Sequence, residues 1–187
     1  MRKFILQKPA NHRKPSGNTQ LLTDLTTNFL TLQSGNINGG STYKVYVNDG
    51  TAGALTWSGT GSVFSRIIRN ISASGEYLFP VSVPGKGNNC TKLYFHTPPA
   101  ISALEVSFSG SPETTIPNFT DMNSALINLT PLNNGVVTLT PFGGSFAYFD
   151  LTLLNDGYTN GSGGNAFSII KSQPAAMATG FPINGSA

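Results

Sequence analysis

Charged residues, cysteine and histidine are all scarce in this chain of 187 residues. Only 10% of the residues are charged, well below the quarter that is usual for globular domains. The single cysteine excludes both an intrachain disulfide framework and a cysteine-only metal site. No zinc-protease, nucleophile-elbow or phosphate-loop motif accompanies the two histidines. The sequence therefore predicts a protein that is not an enzyme and that binds no cofactor.

Long apolar segments and helical periodicity are lacking as well. No apolar run reaches 18 residues, so we expect no transmembrane helix. The apolar run at residues 4–6 is shorter than the core of a secretory signal, which needs at least about seven such residues. No segment of useful length has the 3.6-residue period, which argues against a doubly wound α/β enzyme fold.

Glycine, serine, threonine and asparagine are abundant, and they separate short segments that alternate with period two. The clearest stretch runs from Gly59 to Val83. Residues 63–70 and 76–81 form two strand candidates around the turn-tolerant segment 72–75, which predicts a hairpin. Pro80 cannot donate to a strand ladder, so we expect the second strand to lie at a sheet edge or to bend there.

Further strand candidates follow the same pattern along the chain. Asp49 and Gly50 favour a tight turn between two of them, and residues 121–126 are the only candidate for a short helix. The count of ten to twelve short strands predicts an all-β fold, an antiparallel β-sandwich of jelly-roll or immunoglobulin-like type with little helix. The remaining candidates are residues 29–33, 43–47, 54–57, 91–96, 104–108, 135–140, 145–154 and 166–170.

The domain organisation follows from charge. Residues 1–19 form a basic, flexible N-terminal arm, and residues 20–187 form the β-domain, with a candidate sub-boundary or sheet crossover near 97–100. From residue 15 onward six basic and eight acidic residues remain, so the basic character belongs to the arm. Three interpretations stay open: a flexible terminus, a contact with nucleic acid or an acidic surface, and pairing with a neighbouring subunit. The basic residues concerned are Arg2, Lys3, Lys8, Arg13 and Lys14.

Short motifs between residues 28 and 96 support a family resemblance. They are residues 30–37 (LTLQSGNI), the Gly39-Gly40-Ser41 turn, Gly61-Ser62-Val63 with Arg66, and residues 75–81 (GEYLFPV). This stretch, about a third of the chain, resembles a repeat module of large surface and secreted proteins of Bacteroidota, which are commonly exported by the type IX system. The resemblance implies an extracellular β-rich module with a structural or adhesive role.

Candidate chemical sites are few. His96 ends an aromatic strand and is predicted to be a partly buried structural histidine. Asn155, Asp156 and Asn160 form a candidate calcium loop, but one carboxylate is too few for tight binding, so an ordinary loop and no metal are predicted. The dispersed acids are expected to be solvated rather than paired as in a glycosidase. These acids are Glu76, Glu105, Glu113, Asp121 and Asp150. Separately, four aromatic residues are candidates for contact with sugars or a partner: Tyr46, Trp57, Tyr148 and Tyr158.

Three functions of different classes remain. The first is a non-enzymatic extracellular or cell-surface structural or adhesive domain that self-assembles into a filament through edge strands or the arm. The second is a virion coat protein, a capsid subunit whose basic arm faces nucleic acid. The third is a carbohydrate-binding module that contacts a surface glycan.

Overall fold

The computed structural model describes residues 17–110, 136–144 and 149–154 with their side chains, and the backbone of several further strands. The described part of the chain is rich in short strands and contains one 3₁₀ turn, at Ala52–Ala54. The first nine strands are β1 (His12–Lys14), β2 (Thr19–Gln20), β3 (Leu25–Thr27), β4 (Leu30–Leu32), β5 (Ile37–Asn38), β6 (Lys44–Val47), β7 (Leu55–Trp57), β8 (Val63–Phe64) and β9 (Arg66–Asn70). The others are β10 (Gly75–Phe79), β11 (Asn89–Phe95), β12 (Ala103–Ser109), β13 (Phe119–Thr120), β14 (Leu126–Ile127), β15 (Val136–Phe142), β16 (Phe149–Asn155), β17 (Phe167–Gln173) and β18 (Ala176–Ile183).

The first nine strands wind through three successive coils. Each coil adds one strand to each of three faces, and the strands of one face pair in parallel from coil to coil. We name them the first face (β1, β4, β7), the second face (β2, β5, β8) and the third face (β3, β6, β9). Stacked units that contact their immediate neighbours are typical of a β-solenoid.

Side chains that alternate inward form columns through the coils. On the third face Leu25, Val45 and Ile67 are in register and buried. The same holds for Leu30 and Leu55 on the first face. Each such side chain contributes about 1.5–3 kcal/mol by leaving water. The core therefore lies along the axis of the coils.

The corner between the first and second faces is made by glycines that stack on each other. Gly17, Gly35 and Gly61 have φ angles of 76°, 73° and 83°, in the left-handed region that glycine tolerates. A Cβ atom on Gly35 would overlap the carbonyl oxygen of Gly17, and one on Gly61 would overlap that of Gly35. Only glycine therefore lets successive coils approach this closely.

An amide ladder lies beside this glycine corner. The backbone N–H of Asn36 donates to Oδ1 of Asn18 (3.0 Å), and that of Ser62 donates to Oδ1 of Asn36 (2.9 Å). Asn88 extends the series, since its Oδ1 accepts from the backbone of Gly61 at 3.0 Å. These bonds connect each coil to the next outside the strand ladders, so they fix the coil register at the corner.

Parallel stacking gives way to antiparallel pairing after the third coil. Val81 still makes a parallel bridge with Val63, but β12 pairs with β9 in the antiparallel direction and β15 pairs with β12. Strands β10, β11 and β16 form a separate antiparallel sheet. Two further pairs, β13 with β14 and β17 with β18, are antiparallel as well.

The all-β class predicted from the sequence is confirmed, whereas a sandwich is not. The antiparallel hairpin predicted for residues 59–83 is wrong, because β9 pairs with β6 and β12 while β10 pairs with β11. The hairpin predicted around Asp49 and Gly50 is wrong too, because β6 and β7 belong to different faces. Period-two alternation is the same for parallel and antiparallel strands, so it did not distinguish them.

Of the other strand predictions, some are confirmed and one is wrong. The strand at 104–108 is confirmed, and β10 ends before Pro80 at a sheet edge as expected. The strand pair predicted at 135–154 is wrong in its partners, because β15 pairs with β12 and β16 pairs with β11. Residues 121–125 of the predicted helix lie outside the described residues. The arm at 1–19, the domain at 20–187 and the sub-boundary at 97–100 stay predictions, although β1 within that arm pairs with β4.

We predict that replacing Gly35 with alanine destabilises the protein far more than replacing Gly40. Gly40 also has a positive φ, 57°, but a Cβ there would meet nothing within 4 Å. We expect Gly40→Ala to lower the free energy of unfolding by about 1 kcal/mol, and Gly35→Ala by about 3 kcal/mol or more. Urea denaturation followed by Trp57 fluorescence measures both values. Equal losses would contradict the close approach of the coils.

Candidate functional site

A shallow groove lies on the outer side of the second face. Alternation along β2, β5 and β8 places Thr19, Ile37 and Val63 in one register row and Gln20, Asn38 and Phe64 in the next. The second row faces outward and lines the groove together with Thr19, Asn18, Asn36 and Pro84. Its volume is about 220 Å³. We call it the amide groove.

The side-chain amides of this groove form only some of their possible hydrogen bonds within the protein. Oδ1 of Asn18, Asn36 and Asn38 each accepts a backbone N–H, the last from Gly40 at 3.1 Å. Because a backbone N–H can only donate, the amide oxygen must face it and the NH₂ group is left over. Among the described residues these NH₂ groups have no partner, so the groove presents hydrogen-bond donors to solvent.

A second polar cluster covers the sheet of β10, β11 and β16. Nε2 of His96 lies 2.9 Å from Oδ2 of Asp150, and the rings of His96 and Tyr94 meet edge to face at 4.9 Å. Nζ of Lys92 lies 3.4 Å from the carboxylate of Glu76. The side chain of His96, predicted to be a partly buried structural histidine, is 49% exposed. These exposed polar contacts each contribute little to stability.

The third coil ends on a buried cation. Arg69 is 0% exposed, and its guanidinium donates to the backbone oxygens of Leu78 (3.0 Å), Thr51 (3.1 Å) and Ala52 (2.9 Å). Its Cζ lies 4.9 Å from the ring centre of Tyr77. Burial lowers the pKa of Arg69 to about 10, because the charged form loses its hydration. Arg69 thereby joins the loop after β6 to strand β10.

The loop that receives Arg69 is shaped by its own polar contacts. Oδ1 of Asp49 accepts from the backbone N–H of Thr51 at 2.9 Å and from its hydroxyl at 2.5 Å. These hydrogen bonds lower the pKa of Asp49, since they favour the carboxylate. The hydroxyl of Tyr77 lies 2.7 Å from the carbonyl oxygen of Gly50. The carbonyls of the loop are thus fixed in the direction of the guanidinium.

The single cysteine is buried, and its thiol is unreactive. Cys90 on β11 is 1% exposed, and burial raises the pKa of its thiol to about 12. Because the thiolate is the nucleophilic form, such a thiol is inert at neutral pH. Cys90 is therefore part of the core rather than a candidate nucleophile.

The first coil presents strand edges. In the described part of the chain, β1, β2 and β3 are the outermost strands of their sheets. The carbonyl of Thr27 accepts from the backbone N–H of Asn48 at 2.8 Å. The backbone groups of the adjacent residue Thr26 therefore point away from β6, towards the open edge of β3. Parallel edges of this kind are templates for a further strand.

Only part of the residues predicted as site candidates are described. Arg13 and Lys14 lie on β1, and Asn155 ends β16, each described in its backbone alone. Lys44 (3.1 Å) and Arg66 (3.5 Å) contact the carboxylate of Glu105. Glu76, Glu105 and Asp150 thus each pair with a basic group and do not form a carboxylate pair with one another. The candidates outside the described residues are Arg2, Lys3, Lys8, Glu113, Asp121, Tyr148, Asp156, Tyr158 and Asn160.

The amide groove was not predicted from the sequence. Of the predicted contact aromatics, Trp57 is half-buried and its Nε1 donates to the carbonyl of Gly61 at 2.9 Å, and Tyr46 is half-buried as well. The ring at the groove is instead Phe64. The signal that predicts the groove is the recurrence of Gly-Asn or Gly-Ser at 17–18, 35–36 and 61–62, which marks one corner of successive coils.

We predict that Arg69→Ala lowers the free energy of unfolding by about 3 kcal/mol or more, because three carbonyls and two aromatic rings lose their partner. Arg66→Ala on the same strand is the control. Arg66 is 39% exposed, so we expect a loss of at most about 1 kcal/mol. Urea denaturation measures both. Similar losses for the two variants would show that the buried cation does not hold β10 in place.

The raised pKa of Cys90 predicts a pH dependence. Between pH 9 and about 12 the folded chain keeps the thiol proton while the unfolded chain loses it, so this group's contribution to stability falls as pH rises. Cys90→Ala removes that contribution. The stability of the native chain relative to the variant should therefore decline between pH 8 and 10.5 in urea titrations. A constant difference, or rapid reaction of the folded thiol with a disulfide reagent at pH 8, would contradict the burial.

Within the described residues, no cluster of three metal-ligating side chains occurs and no helix has the length and apolarity to span a membrane. No family model, curated protein or solved structure matches the chain. Functional proposals therefore depend on its own coils, edges and groove.

Proposed function

We propose that this chain is a non-enzymatic structural or adhesive module that acts at the cell surface or outside the cell and associates with further copies of itself. The observation that carries the proposal is the open first coil. Among the described strands, β1, β2 and β3 are outermost in their sheets, and their parallel pairing with the second coil is of the kind that another coil would repeat.

The corner columns support the same proposal. Gly17, Gly35 and Gly61 stack at one corner, and the amide ladder beside them connects neighbouring coils. The motifs that resemble the Bacteroidota surface module, Ser34-Gly35-Asn36-Ile37 and Gly61-Ser62-Val63, occupy equivalent corner positions of consecutive coils. A repeating corner is what a modular, extended surface protein requires.

Nothing in the described residues favours the coat-protein alternative over this one. Its argument rests on the five basic residues of the arm. Arg2, Lys3 and Lys8 lie outside the described residues. In the described body Lys44, Arg66 and Lys92 are each paired with carboxylates, and Arg69 is buried.

We predict that Thr26→Pro reduces self-association. Proline removes a backbone donor from the open edge of β3, whereas the partner bond from Asn48 goes to the adjacent Thr27. Thr26→Val is the matched control, because it keeps the donor and has high strand propensity. Analytical ultracentrifugation and negative-stain electron microscopy of the native chain and both variants measure the assembly state, and thermal unfolding confirms that each variant is folded.

We expect assemblies for the native chain and Thr26→Val, and monomers for folded Thr26→Pro. A native chain that stays monomeric at about 100 μM would overturn the proposal, because edge pairing weaker than this does not build a stable assembly. Closed shells with an ultraviolet absorbance ratio typical of nucleic acid would support the coat protein instead.

A further inference from the structure

The lining of the amide groove contains no charged side chain. Its lining consists of asparagine, glutamine and threonine side chains together with Phe64 and Pro84. An anionic ligand would require a cation, and a cationic ligand would require a carboxylate or an aromatic cage. The groove therefore selects for neutral molecules.

The hydrogen-bonding groups left over in the groove are of both kinds. Within the described part of the chain, Asn18, Asn36 and Asn38 keep unpaired NH₂ donors, because their oxygens accept from backbone N–H groups. Gln20 has the opposite arrangement: its Nε2 donates to the carbonyl of Leu21 at 3.3 Å, which leaves Oε1 as an acceptor. A hydroxyl group both donates and accepts, so a molecule with several hydroxyls matches this set.

The geometry of the groove favours an extended ligand over a compact one. Gln20, Asn38 and Phe64 form one outward column across three parallel strands, with a repeat of about 4.7–4.9 Å from strand to strand. The volume of about 220 Å³ is below the roughly 300–1,000 Å³ of pockets that enclose small ligands. The groove thus fits one or two units of a chain that continues beyond it.

We propose that the amide groove binds a neutral oligosaccharide or polysaccharide chain that lies along the coil axis. The amides of Asn38 and its neighbours bond the hydroxyls, and the ring of Phe64 packs against the apolar face of a sugar ring. This gives the adhesive role a ligand class. The groove lies on the outward side of the second face, whereas the proposed self-association uses the strand edges of the first coil.

The test measures binding by the full chain and by two groove variants. The probes are the neutral cellohexaose, mannohexaose and maltohexaose and the anionic hexagalacturonate, titrated by calorimetry and by chemical-shift changes in amide NMR spectra. Asn38→Asp keeps the oxygen that accepts from Gly40 and removes the free NH₂ group, and Phe64→Leu removes the ring. Asn48→Asp, an exposed position outside the groove lining, controls for the added charge.

We expect saturable binding of at least one neutral probe, with shifts centred on the second face. The two groove variants should weaken it about fivefold to tenfold, the effect of one lost hydrogen bond or ring contact, and Asn48→Asp should bind like the native chain. Failure of all neutral probes to bind, preference for hexagalacturonate, or native affinity in Asn38→Asp would overturn the proposal. Folded, monomeric Thr26→Pro should keep the binding, so failures of the groove and of the edge proposal are distinguishable.

Discussion

The buried guanidinium of Arg69 is the contact on which the transition from parallel coils to antiparallel sheets depends. A desolvated charge without a carboxylate partner is costly, and it is accepted here because three backbone carbonyls and two aromatic rings surround it. The same carbonyls belong to two segments that no described strand ladder connects, the loop at Thr51–Ala52 and strand β10. Arg69 therefore takes the place of a strand ladder at the end of the third coil.

Alternation along the chain predicted the strands well and their partners badly. Leu104 to Phe108 alternates cleanly and is a strand, as is the run before Pro80. The pairing depends on where the chain turns, and the same Asp-Gly and Gly-Asn signals that favour hairpins also make the corners of a coil. On β6 the buried Val45 and Val47 alternate with the half-buried Lys44 and Tyr46, so this parallel strand lacks the continuous apolar run of sheets covered on both faces.

The amide groove was not recognised in the sequence for a related reason. Asn18, Asn36 and Asn38 are separated by up to 20 residues and come together only once the coils stack. In a chain so rich in asparagine, no single one stands out, and their significance lies in which amide atom is left unpaired. That is decided by backbone N–H groups whose positions depend on the fold. Burial of Arg69 was likewise unpredictable, since arginine is almost always exposed unless it is paired.

The coils differ in length at two corners: the connection from the second face to the third has four, five and one residues in successive coils, and the connection from the third face to the first varies as well. Two residues, 28–29, connect the third face to the first after coil one, whereas seven residues, 48–54, do so after coil two. The glycine and amide columns lie at another corner and keep their alignment despite this difference. An insertion at residues 28–29 therefore leaves these columns aligned. Unlike residues 48–54, which provide two carbonyls to Arg69, this connection is a suitable place for grafting a foreign loop.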